Sequence, residues 1–306
     1  MNIRDGNPAL YKRSCKNMIS IDPDSRFKIR MSSPLTGGGG APVRRPAPQE
    51  SQRPVTVKRP SGTRPTKARS GGKRLDELLG GGLPFRSCSL VHGPAFIGKD
   101  VLLTQFISEG IRSGVPALII LTQSTTSKFR NRLVEMDHKL EERERTGLLA
   151  YIDCHAKTVG LKGKNPFAIY LNGVGDLQAL SKSIDRFQTS FKQNYFYHRV
   201  IFDSLSSVLR THGLNRTLDF LNHLTAKTKS FNGIALFDLA GGIHQPEEIN
   251  ALEHTMDGSI IMKENKGQHF MMVKGLSDVK GRDWVRYSFN DQGMDITGSF
   301  SYNYIK

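Results

Sequence analysis

Between Val91 and Asp100 the chain reads VHGPAFIGKD, and this run constrains its fold more than any other. Gly93, Gly98 and Lys99 fit the pattern G-x-x-x-x-G-K. Glycines so spaced let backbone N–H groups close around phosphate oxygens, while the lysine neutralises the outer phosphates. The candidate cradle is Gly93, Pro94, Ala95, Phe96, Ile97, Gly98, Lys99 and Asp100. Position eight of such a P-loop should be Ser or Thr, whose hydroxyl binds the Mg²⁺ carried by the nucleotide. This chain has Asp100 there. The loop predicts a nucleotide site and, one residue on, questions its metal chemistry.

The flanks support the motif. SCSLVH (Ser87 to His92) is a short apolar run suited to a buried strand, and Val101, Leu102, Phe106, Ile107 and Ile111 recur at helical spacing. Strand, glycine turn and helix place the phosphates at a helix N-terminus, where unpaired N–H groups favour anions.

Charge divides the chain in two. Residues 1–74 hold 17 Lys and Arg against 4 Asp and Glu, and the remainder holds 27 against 24. The net charge of +16 is therefore mostly a property of the N-terminal segment. That segment is rich in Pro, Gly, Arg and Ser, with GGGG at residues 37–40, and has few large apolar residues after Met31. It is expected to be a disordered basic tail over residues 1–70, offering salt-sensitive contact to nucleic acid or other polyanions. Residues 71–306 are enough for one well-buried α/β domain. No apolar run approaches the length of a membrane span, and no apolar leader follows the N-terminal charges. Cys15, Cys88 and Cys154 are too widely spaced for a zinc pattern or a disulfide framework, which suits a cytoplasmic protein. Cys88 and Cys154 read as small core residues, and His155, His244 and His254 as scattered solvated side chains.

Strand and helix patterns then alternate. Strands are expected at Pro116–Thr122, Leu148–Cys154, Arg199–Ser204 and Gly233–Leu239. Helices are expected around Ser127–Arg145, Gly175–Gln193 and Asn215–Ser230. SIIMKE, HFMMVKG, WVRYSFN and GMDITG follow as short strands joined by Gly and Asn turns. The expected fold is α/β, a mainly parallel central sheet carrying antiparallel strands at its C-terminal edge.

RVIFDSLSSVL (Arg199–Leu209) brings Asp203 to the end of a buried strand, about one hundred residues after the loop. A carboxylate so placed helps hold Mg²⁺, usually through the metal's waters. Asp203 and Asp100 are thus the candidate metal ligands. An aspartate there can equally cap the following helix. Ser204 is placed to bond a metal-bound water or the neighbouring loop.

With these residues in view, the chain resembles the KaiC-like branch of the RecA superfamily of P-loop ATPases. The likeness begins at KRLDELLGGGLPFRSCSLVHGP (Lys73–Pro94) and runs through RVIFDSLSSVL to the closing MDGSIIM, MMVKG and YSFNDQGMDI segments. It covers roughly Lys73 to Ile296. The resemblance implies a RecA-type core, binding of ATP and Mg²⁺, and frequently a hexameric ring with nucleotide at subunit interfaces.

Three departures fall on catalytic elements. Asp100 replaces the metal-binding hydroxyl. Gln123 and Ser124 stand where the family has paired glutamates that activate water, and an amide cannot accept a proton at neutral pH. VKGLSD supplies Lys274, but Leu276 stands where the family's arginine reaches a neighbour's γ-phosphate; Lys280 and Arg282 are close by. Gln123, Lys274 and Asp238 (at the end of the next strand) remain the candidate catalytic residues. The expected protein binds ATP, probes occupancy through ring or partner contacts, and hydrolyses feebly or not at all. Two alternatives are a recombinase-like ATPase handling DNA through its tail and a RecA-fold scaffold that binds no nucleotide.

Overall fold

A computed structural model describes residues 66–300. The expected disordered tail lies outside these residues, apart from its last few positions.

Among the described residues twelve strands and seven α-helices follow in order: β1 (Lys67–Ala68), α1 (Lys73–Leu78), β2 (Leu83–Pro84), β3 (Ser87–Gly93), α2 (Lys99–Arg112), β4 (Ala117–Leu121), α3 (Thr126–Met136), α4 (Leu140–Arg145), β5 (Leu149–Asp153), β6 (Ala168–Tyr170), α5 (Leu177–Asn194), β7 (Arg199–Phe202), α6 (Leu205–Ser230), β8 (Ile234–Ala240), α7 (Pro246–His254), β9 (Gly258–Asn265), β10 (Gln268–Lys274), β11 (Val285–Asn290) and β12 (Gly293–Ile296). Ten strands form one sheet in the order β12-β11-β10-β9-β3-β8-β7-β4-β5-β6. From β9 to β6 every pairing is parallel, and β9 to β12 are joined antiparallel. This is the expected architecture.

The central strands read as unbroken apolar runs because both faces of the sheet are covered. All residues of β4 and β7 are buried. Their side chains alternate between two cores. Val91, Ile119 and Leu121 join α2 and α3 on one side. Leu90, Leu118 and Ile120 join α5 and α6 on the other. Cys88 and Cys154 are buried here, as expected. Helix α5 packs through Leu180, Ile184, Phe187 and Phe191, three or four residues apart along one face.

Several elements differ from the sequence expectation. The helix foreseen over Ser127–Arg145 is two, because Asp137 takes an extended backbone and its carboxylate accepts from the Lys139 N–H. Such a local side-chain bond competes with helix continuation. The helix foreseen from Asn215 begins at Leu205 and passes a kink at Gly213, whose φ of 72° is open to glycine. The segment after β8 carries α7, started by a capping box between Gln245 and Glu248 with Pro246 in the first turn. Packing also starts upstream of residue 71: Ala68 is buried in β1, and the Ser70 N–H donates to Asp76.

Candidate functional site

The P-loop leaves the C-terminal end of β3 and enters α2 at Lys99. A Cβ on Gly93 would run into the Met262 carbonyl oxygen. Gly98 caps α2 with φ +83°, and a Cβ there would lie 2.6 Å from the Phe289 ring. Both glycines are therefore required by close approach. Ile97 is buried and its carbonyl accepts from the Tyr287 hydroxyl at 2.7 Å, which ties the loop to β11. Pro94, Ala95 and Phe96 are exposed, Phe96 almost entirely (97%) and in the left-handed region at φ +63°. The first-turn N–H groups of α2, which follow this loop directly, have no partners within the helix.

Lys99 is only 8% exposed. Its ammonium pairs with Asp238 Oδ1 at 2.9 Å and donates to the Leu239 carbonyl at 3.0 Å, both on β8. Burial pushes the Asp238 carboxyl above the usual carboxylate range, and Lys99 opposes that shift. Asp238 thus sits beside the P-loop, engaged by its lysine. Asp100 points outward, and its Oδ2 lies 2.5 Å from Arg132 Nη1 on α3. The Arg132 guanidinium rests over the Phe129 ring at 5.2 Å.

Asp203 follows β7 and grips the loop between β4 and α3. Its carboxylate accepts from the N–H and hydroxyl of Thr122 (2.5 and 3.0 Å), the N–H of Gln123 (3.3 Å) and the N–H of Ser124 (2.9 Å). Burial lifts this carboxyl to about 6, against the lowering by those donors. The Ser204 carbonyl accepts from the Thr122 hydroxyl, so Ser204 does bond the neighbouring loop. The hydroxyls of Ser124 and Ser204 are buried there without a protein partner.

Asp100, Asp203 and Asp238 are the carboxylates nearest the cradle by sequence and register, and each is already engaged. A carboxylate has about four lone-pair sites, and the N–H groups of Thr122, Gln123 and Ser124 take up most of those of Asp203, the single Thr122 hydroxyl proton lying between it and the Ser204 carbonyl. Among the described residues no group of three His, Cys, Asp or Glu side chains is arranged to hold a metal ion. As they stand, these residues do not fit a directly ligated divalent cation.

Gln123 is exposed beside Asp203. Lys274 is not brought to the cradle of its own chain. It ends β10 opposite Ser259, which pairs with Leu90, three residues before Gly93 and so about 10 Å down the sheet. There it lines a cleft of about 290 Å³ with Glu253, His254 and Asp257. Leu276 is buried in the core, and Arg282 donates to its carbonyl.

Sequence reasoning missed Arg132, which lay in a run of charges, and Tyr287, read only as part of a strand. It also misjudged His244. That side chain is 3% exposed, and its Nε2 lies 2.8 Å from the Ser206 hydroxyl, which accepts from the Ala240 N–H. His244 therefore ties the start of α6 to the end of β8. Its pKa is lowered, chiefly by burial.

Comparison with known proteins agrees with this geometry. The family model for the KaiC ATPase matches residues 68–299. The circadian clock oscillator protein KaiC of Rippkaea orientalis is 28% identical over 241 residues, covering 76% of this chain and 42% of its own length. The chain thus spans less than half of that relative. The UPF0273 protein MK0039 of Methanopyrus kandleri is 24% identical over 223 residues, 69% of this chain and 77% of that protein. Among solved structures, the KaiC-like protein PH0186 of Pyrococcus horikoshii OT3 shares the fold with a TM-score of 0.59 at 18% identity, over 75% of this chain and 98% of that one.

Proposed function

The chain belongs to the KaiC family of RecA-type P-loop ATPases, and from that premise we propose that it is an ATP-binding protein of regulatory type whose hydrolysis is weak or absent. The observation that carries this reading is the state of the carboxylates around an intact cradle. Gly93, Gly98 and Lys99 keep the phosphate-binding geometry. Gln123 and Ser124 offer no general base, Asp203 is engaged by the N–H groups of Thr122, Gln123 and Ser124, and Asp238 is paired with Lys99. A water beside the γ-phosphate has no free carboxylate to take its proton. Occupancy of the cradle, rather than turnover, is then the signal. It passes to Leu239 and Ala240 through Lys99, and on to His244 through Ser206.

Oligomerisation is characteristic of the family; a hexameric ring of this chain, with Lys274 reaching a neighbour's nucleotide, belongs to the same proposal. No helix of the described residues is long and apolar enough to cross a membrane. Contact of the basic N-terminal segment with nucleic acid falls outside those residues.

The test is equilibrium binding of ATP alongside a turnover assay. Lys99→Ala weakens ATP binding by at least about tenfold, or about 1.4 kcal/mol. Turnover by the unaltered chain stays below ~1 s⁻¹, the low end of typical enzymes. Brisk hydrolysis overturns the regulatory reading. Absence of ATP binding at millimolar nucleotide favours the scaffold, whose supporting observation is the carboxylate of Asp100 beside the phosphate site.

A further inference from the structure

We infer that the cradle holds a nucleotide's phosphate tail without a divalent metal, Arg132 supplying the second positive charge when phosphate displaces it from Asp100. This rests on the nucleotide reading given above and deepens it.

The argument starts from charge. An ordinary P-loop sets a neutral hydroxyl after its lysine, and the divalent ion adds the remaining positive charge that a triphosphate demands. Here a carboxylate occupies that position, and an arginine from the neighbouring helix is already bound to it. Two cations therefore adjoin the cradle, Lys99 within it and Arg132 next to it on Asp100, each held by a carboxylate, Asp238 and Asp100. Phosphate can compete for both. The Asp100 side chain is 61% exposed, and an ion pair so open to water is weak. A planar guanidinium offers phosphate two parallel N–H bonds, which suits it better than a point charge for this exchange.

Arg132 is prepared for such a role. Its guanidinium is steadied over the Phe129 ring, and its Nε is buried without a hydrogen-bond acceptor. That donor can gain an acceptor only when the side chain turns, as the exchange from Asp100 to phosphate requires. A metal gains less. It would have to displace Arg132 from Asp100 and then share the phosphate oxygens with the freed guanidinium, while Asp203 already accepts from the Thr122–Ser124 loop. Mg²⁺ also dehydrates reluctantly and leans on one or two free carboxylates plus phosphate.

The experiment titrates the purified full chain with a fluorescent ATP analogue, in millimolar Mg²⁺ and separately in excess EDTA. The expected affinity in EDTA is within about threefold of that in Mg²⁺. Arg132→Ala lowers the EDTA affinity by about tenfold or more, and Arg132→Lys recovers part of it. Asp100→Asn raises it, since the arginine is freed. Arg145→Ala, which breaks an exposed pair with Glu141 on α4, leaves it unchanged. Circular dichroism melting of each variant reports folding, and the EDTA comparison on the unaltered chain stands whether or not Arg132→Ala folds. A fall of about a hundredfold in EDTA, with Asp100→Asn weakening Mg²⁺-dependent binding, overturns the inference: Asp100 is then a metal ligand and the nucleotide site survives. Absence of binding in both buffers, by the unaltered chain and by Asp100→Asn, removes the nucleotide reading itself and this inference with it.

Discussion

The P-loop and the loop between β4 and α3 both lie at the C-terminal edge of the parallel sheet, yet they are held in opposite ways. The P-loop is held from outside. Tyr287 hydrogen-bonds the Ile97 carbonyl, and Phe289 and Met294 fill the space beside Gly98, so its shape depends on β11 and β12. The β4–α3 loop is held from within the sheet, where Asp203 accepts the N–H groups of Thr122, Gln123 and Ser124. Asp203 grips mainly backbone, and the side chains of Gln123 and Ser124 take no part. Side chains at positions 123 and 124 can therefore change without disturbing that loop, whereas a side chain at Gly98 would collide with its neighbours. The shape of the cradle rests on the glycines and their neighbours, and the shape of the other loop does not depend on the side chains at 123 and 124. On the proposed reading, that asymmetry lets a chain keep a cradle without a base.

The comparison breaks most visibly at Asp203. If its main role is to staple the loop, Asp203→Ala orphans three N–H groups, while the Thr122 hydroxyl keeps the Ser204 carbonyl. Water reaches part of this loop, so the sum falls short of three full penalties, and unfolding free energy should drop by about 3 kcal/mol. Asp203→Asn should recover roughly half, because its amide still accepts on one side. Urea denaturation measures both. Unchanged stability with a large loss of nucleotide affinity would mean that Asp203 serves the ligand instead, and the two loops would then not differ as described.

The same distinction explains what could be read from the sequence. The strands of the sheet and the cradle were legible because apolar runs and glycine spacing are local signals, and Gly93, Gly98 and Lys99 lie within seven residues. Asp203 was legible through its place at a strand end. The pairs Asp100–Arg132 and Ile97–Tyr287 were not, since each joins residues far apart in the chain whose types are ordinary for a charged helix and an edge strand. The break at Asp137 and the kink at Gly213 were missed for a different reason. Helical periodicity continues on both sides of each, and only the backbone angles separate the halves. His244 looked solvated because histidine's type says nothing of burial; its hydroxyl partner, Ser206, is 38 residues away.

A smaller effect sharpens the other half of the comparison. Tyr287→Phe keeps the buried ring and removes the donor to Ile97, leaving a carbonyl without its partner. Stability should fall by about 1.5 kcal/mol. Nucleotide affinity should fall in the same variant, since the loop that closes on phosphate loses its outside anchor. Isothermal titration together with urea unfolding separates the two readouts. A variant that lost stability but bound nucleotide normally would show that the glycines and Phe289 alone fix the cradle.

The smallest expected effect is a pH dependence that belongs to one loop and not the other. Burial raises the Asp203 carboxyl from its ordinary value of 3.8 to about 6 in the folded chain. The folded state therefore binds this proton more tightly than the unfolded state between those values. Stability from this group rises as pH falls from 7 towards 4 and levels off below the unfolded value. Between pH 7 and 5 the gain is at most about 1.3 kcal/mol, because the shift covers about one unit of titration in that interval. The P-loop has no such term from Tyr287, whose hydroxyl is pushed upward by burial and stays protonated throughout. The check is a double comparison of urea midpoints at pH 7 and pH 5. Asp203→Asn should lose the acid-side gain, and Tyr287→Phe should keep it. An equal gain in the Asp203→Asn chain would assign it to other groups and leave Asp203 an ordinary ionised acceptor, its backbone bonds then outweighing its burial.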